Sequence, residues 1–257
     1  MADICVVNVD DPASLKILGN ADGEIVTYSL HHDEAVMTAK NINLRPTGAS
    51  YELVARDNII RISINLPGEF NVYNSIAAAS TAFALGVPMS MIKEALSVIE
   101  GVKGRLEVVP TNTDYTVIID YAHTPDGIVN VLNAVRGFTS GRVICLFGCG
   151  GDRDKTKRPL MGEAAAMLSD YVIVTSDNPR SESPEAIIDD ILSGMTELNT
   201  PYKVIADRTE AIAAALKEAN EGDVVVLAGK GHETYQVLKE GKIHYDEREI
   251  VKELLQE

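Results

Sequence analysis

From about Asp114 onward the chain alternates short β-rich runs with helical patterns, and this alternation narrows the architecture more than any other feature. Residues 116–119, 143–147, 171–175, 202–205 and 224–227 are apolar, β-branched runs of strand length. Capping residues mark the helix starts between them: Thr124 before Pro125, Ser183 before Pro184, Asp207 with Glu210, and Asp246 with Glu249 ahead of a terminal helix. Ile128, Val131, Leu132 and Val135 fall on one face of the helix that Thr124 opens. Further helices are expected over 160–168 and from 183 to 195, and residues 242–245 read as a weaker sixth strand. Such alternation calls for a mostly parallel sheet, six-stranded here, with helices on both faces. Ligands in sheets of this kind bind beyond the carboxyl ends of the strands.

The first hundred residues read differently. Residues 4–9 form a continuous apolar run ending in Asp10-Asp11-Pro12, the character of a strand buried on both faces, with no parallel neighbour legible in sequence. Residues 34–44, 50–55 and 58–66 read as antiparallel strands, joined by Pro46-Thr47-Gly48 and by Arg56-Asp57. Helices follow at 72–85 and 90–99. One strand, a meander and two helices suit the tail of a larger α+β domain. His31 and His32 fall in a polar stretch without a motif.

The 257 residues suffice for one large domain or two ordinary ones. An apolar fraction of 46% and a charged fraction of 24% are those of a soluble globular protein. No apolar run approaches membrane-spanning length, and no signal peptide is legible. A net charge of -15 argues against nucleic acid as a partner, because a phosphate backbone needs a broad basic surface. Cys5, Cys145 and Cys149 show neither disulfide nor zinc spacing, so no metal ligands are assigned and a reducing cytoplasm is expected.

Four polar clusters fall at strand ends of the second half: Asp120–Asp126, Gly150–Arg158, Asp177-Asn178-Pro179-Arg180 and Gly229-Lys230-Gly231-His232-Glu233. One such cluster is ordinarily turn chemistry, since Asp, Asn, Pro and Gly dominate loops for backbone reasons. Four on one rim point to a site. The second sets four cations within six positions and ends in Pro159, expected at the first position of a helix whose free N–H groups favour an anion. Arg153 and Arg180 can each grip a carboxylate by two parallel N–H bonds. Glu233 can accept from an ammonium group, Asn178 can donate and accept, and Pro179 directs Arg180. Gly229 and Gly231 permit unusual dihedrals and close backbone approach. The combined chemistry suits a small amino acid with more than one charged group.

Other site types are not matched. Gly148-x-Gly150 fails as a dinucleotide fingerprint because Arg153 holds its third glycine position, and no G-x-x-x-x-G-K-[ST] phosphate loop occurs. No Ser/His/Asp triad emerges. His123 serves equally well as a structural hydrogen-bonding residue or as a catalytic one.

The clusters, in this order, together with Gly68-x-Phe70-Asn71-x-Tyr73-Asn74 and Gly104-Arg105, resemble the carboxyl-terminal half of the Mur ligases, specifically their diaminopimelate-adding branch. The resemblance runs from Asn8 to the terminal helix. It implies residues 1–106 as the remainder of a central ATP-binding domain and 107–257 as a Rossmann-like amino-acid-binding domain. It further implies that Asn71 and Asn74 lie near the adenine of ATP, and that Arg105 and Asp120 contact its phosphates and ribose. Arg153, Asp177, Asn178, Pro179, Arg180, Gly229 and Glu233 would contact meso-diaminopimelate. The implied reaction joins this amino acid to UDP-MurNAc-L-Ala-D-Glu through an acyl phosphate, with ATP and Mg2+, in cytoplasmic peptidoglycan synthesis. The phosphate loop, magnesium ligands and UDP-binding domain of the family are not matched in this chain, so a catalytically incomplete fragment with a missing amino-terminal half is expected. The alternatives are a non-catalytic amino-acid-binding module, a lysine-adding Mur ligase and folylpolyglutamate synthase. The Asp177–Arg180 motif speaks against the lysine enzyme. Together with Gly229–Glu233 it also speaks against the folate enzyme.

Overall fold

The computed structural model describes residues 3–55 and 58–256, in two compact units, residues 1–100 and 101–257. The first unit contains β1 (Ile4–Asn8), α1 (Ser14–Leu18), β2 (Glu24–Ser29), β3 (Met37–Arg45), β4 (Gly48–Ala55), β5 (Asn58–Ile64), α2 (Glu69–Ala84) and α3 (Met89–Val98). The strands form one sheet in sequence order, with β1, β2 and β3 parallel and β4 and β5 antiparallel additions. Residues 4–9 therefore do have a parallel neighbour: β2 runs beside β1 with Ile4 opposite Glu24 and Asn8 opposite Tyr28. Ile25-Val26-Thr27-Tyr28 carried the β-branched and aromatic signal of a strand, and its polar flanks obscured it. Only Val7 of β1 is buried, so the continuous apolar run does not mean burial on both faces here. The strand expected from Glu34 begins at Met37, and the Arg56-Asp57 turn lies outside the described residues.

α2 closes this unit by placing Val72, Ile76 and Ala79 on a core of Met37, Tyr51, Leu53, Ile62 and Ile64. Buried Tyr51 shares a hydrogen bond with Ser75 of α2 at 2.7 Å, which satisfies the one polar atom of a large core side chain. The Tyr73 hydroxyl donates to Asp10 Oδ2 at 2.9 Å, fixing the start of α2 to the loop after β1.

The second unit comprises β6 (Glu107–Val109), β7 (Thr116–Asp120), α4 (Pro125–Arg136), β8 (Val143–Phe147), α5 (Lys157–Leu168), β9 (Tyr171–Val174) and α6 (Pro184–Leu192). It continues through β10 (Tyr202–Val204), α7 (Arg208–Glu218), β11 (Val224–Ala228), β12 (Tyr235–Leu238), β13 (Gly241–His244) and α8 (Glu247–Leu254). Its sheet has the order β10-β9-β8-β11-β7-β6; the first five strands are parallel and β6 is antiparallel to β7. The sheet is six-stranded and mostly parallel, as expected, but its sixth member differs. Of residues 242–245, Lys242 to His244 pair instead with β12 as part of β13 in a separate hairpin, all four residues of β13 are exposed, and Tyr245 lies beyond the strand. The true sixth strand, only three residues long, was too short to show a period.

β8 and β11 are buried along their whole length, because α4, α5 and α6 cover one face of the sheet and α7 and α8 the other. The caps follow the sequence: Thr124 Oγ1 accepts from Gly127 N at 3.1 Å, and Asp207 Oδ1 from Glu210 N at 3.0 Å. Two boundaries shift. α5 begins at Lys157, which puts Pro159 third, still within the turn that lacks intrahelical N–H partners. α6 stops at Leu192, three residues before Met195.

Candidate functional site

The carboxyl ends of β7, β8, β9 and β11 converge on a cavity of about 400 Å3. Each delivers one of the clusters read from the sequence. After β7 come Tyr121, His123 and Thr124; after β8, Gly148 to Gly150, Arg153 and the opening of α5; after β9, Asp177, Asn178 and Arg180; after β11, Gly229 and Glu233. Thus Arg153, Asp177, Asn178, Arg180, Gly229, Glu233 and His123 share one wall system, while Pro179 shapes a loop behind it.

The loops after β8 and β9 are laced together. Gly151 N donates to Asn178 O at 2.9 Å, and a Cβ on Gly151 would stand 1.9 Å from Pro179 O, so only glycine permits this approach. Arg180, at φ 54°, donates from Nη1 to Gly151 O at 2.8 Å. That bond holds the guanidinium at the cavity. Arg180 N also donates to Val237 O at 3.1 Å, so β12 braces the loop from outside.

The four cations divide by role. Arg158 is buried and bound to Glu182 and Asp190, with Nη atoms 2.8–3.0 Å from their carboxylates. It is a structural tie. The Arg158 hydrogen bonds, with Asp152 N and Lys155 adding to them, hold the Glu182 carboxyl down at about 2. Arg153 and Lys157 line the cavity with exposed side chains and are the cations of this loop left for an anion.

At the opposite wall, Glu233 Oε2 accepts from Asn178 Nδ2 at 3.0 Å and from Lys230 Nζ at 3.4 Å, while Oε1 lies 3.4 Å from the Tyr235 hydroxyl. The site therefore has an acidic wall, Asp177 and Glu233, and a cationic one, Arg153, Lys157 and Arg180. Lys230 lies inside the Gly229–Glu233 motif, where sequence alone assigns it no role; its burial, between two glycines with positive φ, is what gives it one. Tyr235 and Gln236 were not singled out. Gln236 Nε2 donates to Asp177 O at 2.7 Å.

His123 lines the cavity, and its Nδ1, 2.7 Å from Tyr121 O, donates to that carbonyl. The Tyr121 ring stands 4.6 Å from the His123 ring and 5.0 Å from His232, with the Arg105 guanidinium 5.1 Å from its centroid. Cys149 lines the cavity, but burial pushes its thiol up to about 12, which rules out a ready thiolate.

The remaining expected positions lie elsewhere. Asp120 ends β7; its Oδ2 accepts from Leu106 N at 2.7 Å and its Oδ1 from Ala122 N at 2.8 Å, and burial raises its carboxyl above the usual range. Neither Asp120 nor Arg105 lines the cavity. Asn71 and Asn74 belong to the first unit, on the opening turns of α2, where Asn71 Nδ2 donates to Pro67 O at 2.8 Å and Asn74 Nδ2 to Asn71 Oδ1 at 3.4 Å. Among the described residues, no group of three or more His, Cys, Asp or Glu is arranged to hold a metal ion. The cavity lining therefore does not fit a Mg2+ ion held by the protein alone. No described helix is long and apolar enough to cross a membrane.

Comparison with known proteins supplies the context. A model of the Mur ligase middle domain matches residues 1–82, and a model of the Mur ligase glutamate ligase domain matches residues 104–231. The UDP-N-acetylmuramoyl-L-alanyl-D-glutamate–2,6-diaminopimelate ligase of Caldanaerobacter subterraneus subsp. tengcongensis is 49% identical over 252 residues, which cover 98% of this chain and 52% of that protein. The enzyme of the same name from Clostridium botulinum is 45% identical over 254 residues, with the same two coverages. A solved structure of a ligase of that name superimposes with a TM-score of 0.80 at 35% identity, covering 99% of this chain and 53% of its own. The chain spans about half the length of the curated relatives it matches. With both units matched and the strand-end clusters in place, the chain belongs to the Mur ligase family.

Proposed function

We propose that this chain carries the amino-acid-capturing part of a ligase that joins meso-diaminopimelate to UDP-MurNAc-L-Ala-D-Glu. The observation that carries the reading is Arg180, tethered at the cavity through Gly151 O and set against the acidic wall of Asp177 and Glu233. Diaminopimelate differs from lysine by a second carboxylate, and a guanidinium offers that group two parallel hydrogen bonds. Lysine would leave Arg180 without this partner, and a site with an unpaired polar group rejects the analogue that causes it. The identities of the relatives named above support the same substrate.

In the proposed reaction ATP phosphorylates the γ-carboxylate of the D-glutamyl residue. The substrate amine then attacks the acyl carbon, a C–N bond forms, the C–O bond to phosphate breaks, and the amine loses a proton. The chain's own residues contribute orientation. Arg180 and Arg153 take carboxylates, and Glu233 and Asp177 take an ammonium, so that the amine is presented in a fixed direction. Asn71, Asn74, Arg105 and Asp120 are the proposed contacts to ATP.

Calorimetric titration with meso-diaminopimelate and with lysine, alongside thermal unfolding, tests the reading. Selective binding of diaminopimelate supports it, with roughly 2.7 kcal/mol of added stability at about a hundred times the dissociation constant. Equal binding of both, or binding of neither by a cooperatively folded chain, overturns it.

A further inference from the structure

Lys230 does not line the cavity. It lies behind the acidic wall, and its side chain has no exposed surface. Its three N–H donors meet three acceptors: Asp177 Oδ1 at 3.2 Å, Asn178 Oδ1 at 3.2 Å and Glu233 Oε2 at 3.4 Å. The Tyr245 ring closes a further side, its centroid 5.8 Å from Nζ. All three acceptors belong to residues that do line the cavity. The chain reaches this arrangement because Gly229 and Gly231 flank Lys230 at φ 117° and 54°; a Cβ on Gly231 would stand 2.5 Å from Tyr121 Cβ.

The consequence is sharpest at Asn178. The two ends of a carboxamide are nearly equal in size, so packing alone does not choose between them. Here Oδ1 is held by two donors, Lys230 Nζ and Val237 N at 2.9 Å. The amide nitrogen must then face the other way, where Nδ2 donates to Glu233 Oε2. Reversal would turn an amide oxygen toward a carboxylate. Lys230 also sets one cation between two carboxylates that would otherwise repel each other on the same wall.

We propose that Lys230 is a positioning residue: through Asn178, Asp177 and Glu233 it sets the ammonium-recognising wall of the amino-acid site, without touching the amino acid. This rests on the reading that the cavity takes diaminopimelate, and it assigns ammonium recognition to a wall governed separately from Arg180 at the carboxylate end.

Two discriminations separate the walls. Affinity for meso-diaminopimelate over 2-aminopimelate, which keeps both carboxylates and lacks one amine, reads the acidic wall. Affinity for meso-diaminopimelate over lysine reads Arg180. In Lys230→Met the first preference is expected to fall by about tenfold or more, the size of a charge-assisted contact, while the second changes by less than about twofold. Equal erosion of both preferences, as general loosening would give, overturns the proposal, and so does no change in either.

A measurement on the unaltered chain needs neither a variant nor a bound amino acid. In the 15N spectrum, the Asn178 side-chain amide, assigned by its loss in Asn178→Ala, is expected to exchange slowly with solvent, and the Lys230 ammonium to be visible. An Asn178 amide exchanging like a surface amide overturns the proposal even if Lys230→Met does not fold. If the unaltered chain binds none of the three amino acids, the substrate reading fails while this spectrum still decides the role of Lys230.

Discussion

Arg158 and Glu182 face each other through two parallel hydrogen bonds, Nη2 to Oε1 at 2.8 Å and Nη1 to Oε2 at 3.0 Å. Glu182 also accepts from Asp152 N at 2.6 Å and pairs with Lys155 at 3.1 Å. One carboxylate thus gathers the loop after β8, the start of α5 and the loop after β9. The lowered Glu182 value of about 2, against an ordinary 4.5, links this tie to pH. A depressed carboxyl contributes stability that is present above its unfolded value and lost as pH falls through its folded value. Melting temperature is therefore expected to drop as pH is lowered from about 4.5 toward 2, and Glu182→Gln should flatten that part of the profile. An unchanged profile in the variant would count against the tie.

Arg180→Ala should separate affinity from stability. Arg180 sits at positive φ on a half-buried loop, and its loss opens no core cavity. Affinity for diaminopimelate is expected to fall by about tenfold to a hundredfold, the range for a hydrogen-bonded charge, with stability changed by less than about 1 kcal/mol. Paired titration and denaturant unfolding check both halves of the expectation.

Gly151→Ala probes the lacing of the two loops. The added methyl would meet Pro179 O at 1.9 Å and must push the β9 loop away. Overpacking of this kind costs about 1–3 kcal/mol, and it moves Arg180 from its anchor on Gly151 O. Loss of diaminopimelate binding with retained far-ultraviolet circular dichroism is the expected pair of results.

Cys149 should resist alkylation in the folded chain. Burial pushes the thiol up to about 12, so little thiolate is present at pH 8. Mass spectrometry after iodoacetamide treatment at pH 8 should show Cys149 unmodified until denaturant is added.

Tyr51→Phe tests the first unit. It removes the 2.7 Å bond to Ser75, whose hydroxyl still has Val72 O as an acceptor at 2.8 Å. A loss of about 1 kcal/mol is expected, seen as a shift in the denaturation midpoint without a change in slope.

The second unit was the more legible half because its strands are buried runs punctuated by caps, and both signals are local in sequence. The site clusters were legible for the same reason: a parallel sheet brings successive strand ends to one rim, so position in the pattern becomes position in space. Lys230 was hidden because burial of a lysine depends on what lies above it, and the covering residues Asp177, Asn178 and Tyr245 are distant in sequence. The division of labour among the four cations was hidden too, since nothing within 153–158 says that Glu182 and Asp190 capture Arg158. β2 carries a strand signal in Ile25 to Tyr28, but the polar residues on either side obscure it. β6 is defined by its partner rather than by itself, with Glu107 opposite Ile119 and Val109 opposite Val117.

Arg208 donates to Ser176 O at 3.2 Å, to Ala228 O at 2.9 Å and to Glu247 at 2.8 Å, and both charged groups are buried. The two carbonyls sit immediately before Asp177 and Gly229, so the backbone that presents these residues is pinned by a cation whose counter-charge comes from α8. During synthesis, strands β7 to β11 emerge before that counter-charge exists. The rim at Asp177 and Gly229 is therefore expected to settle only after α8 docks, which couples the order of the cavity to a helix distant from it in sequence.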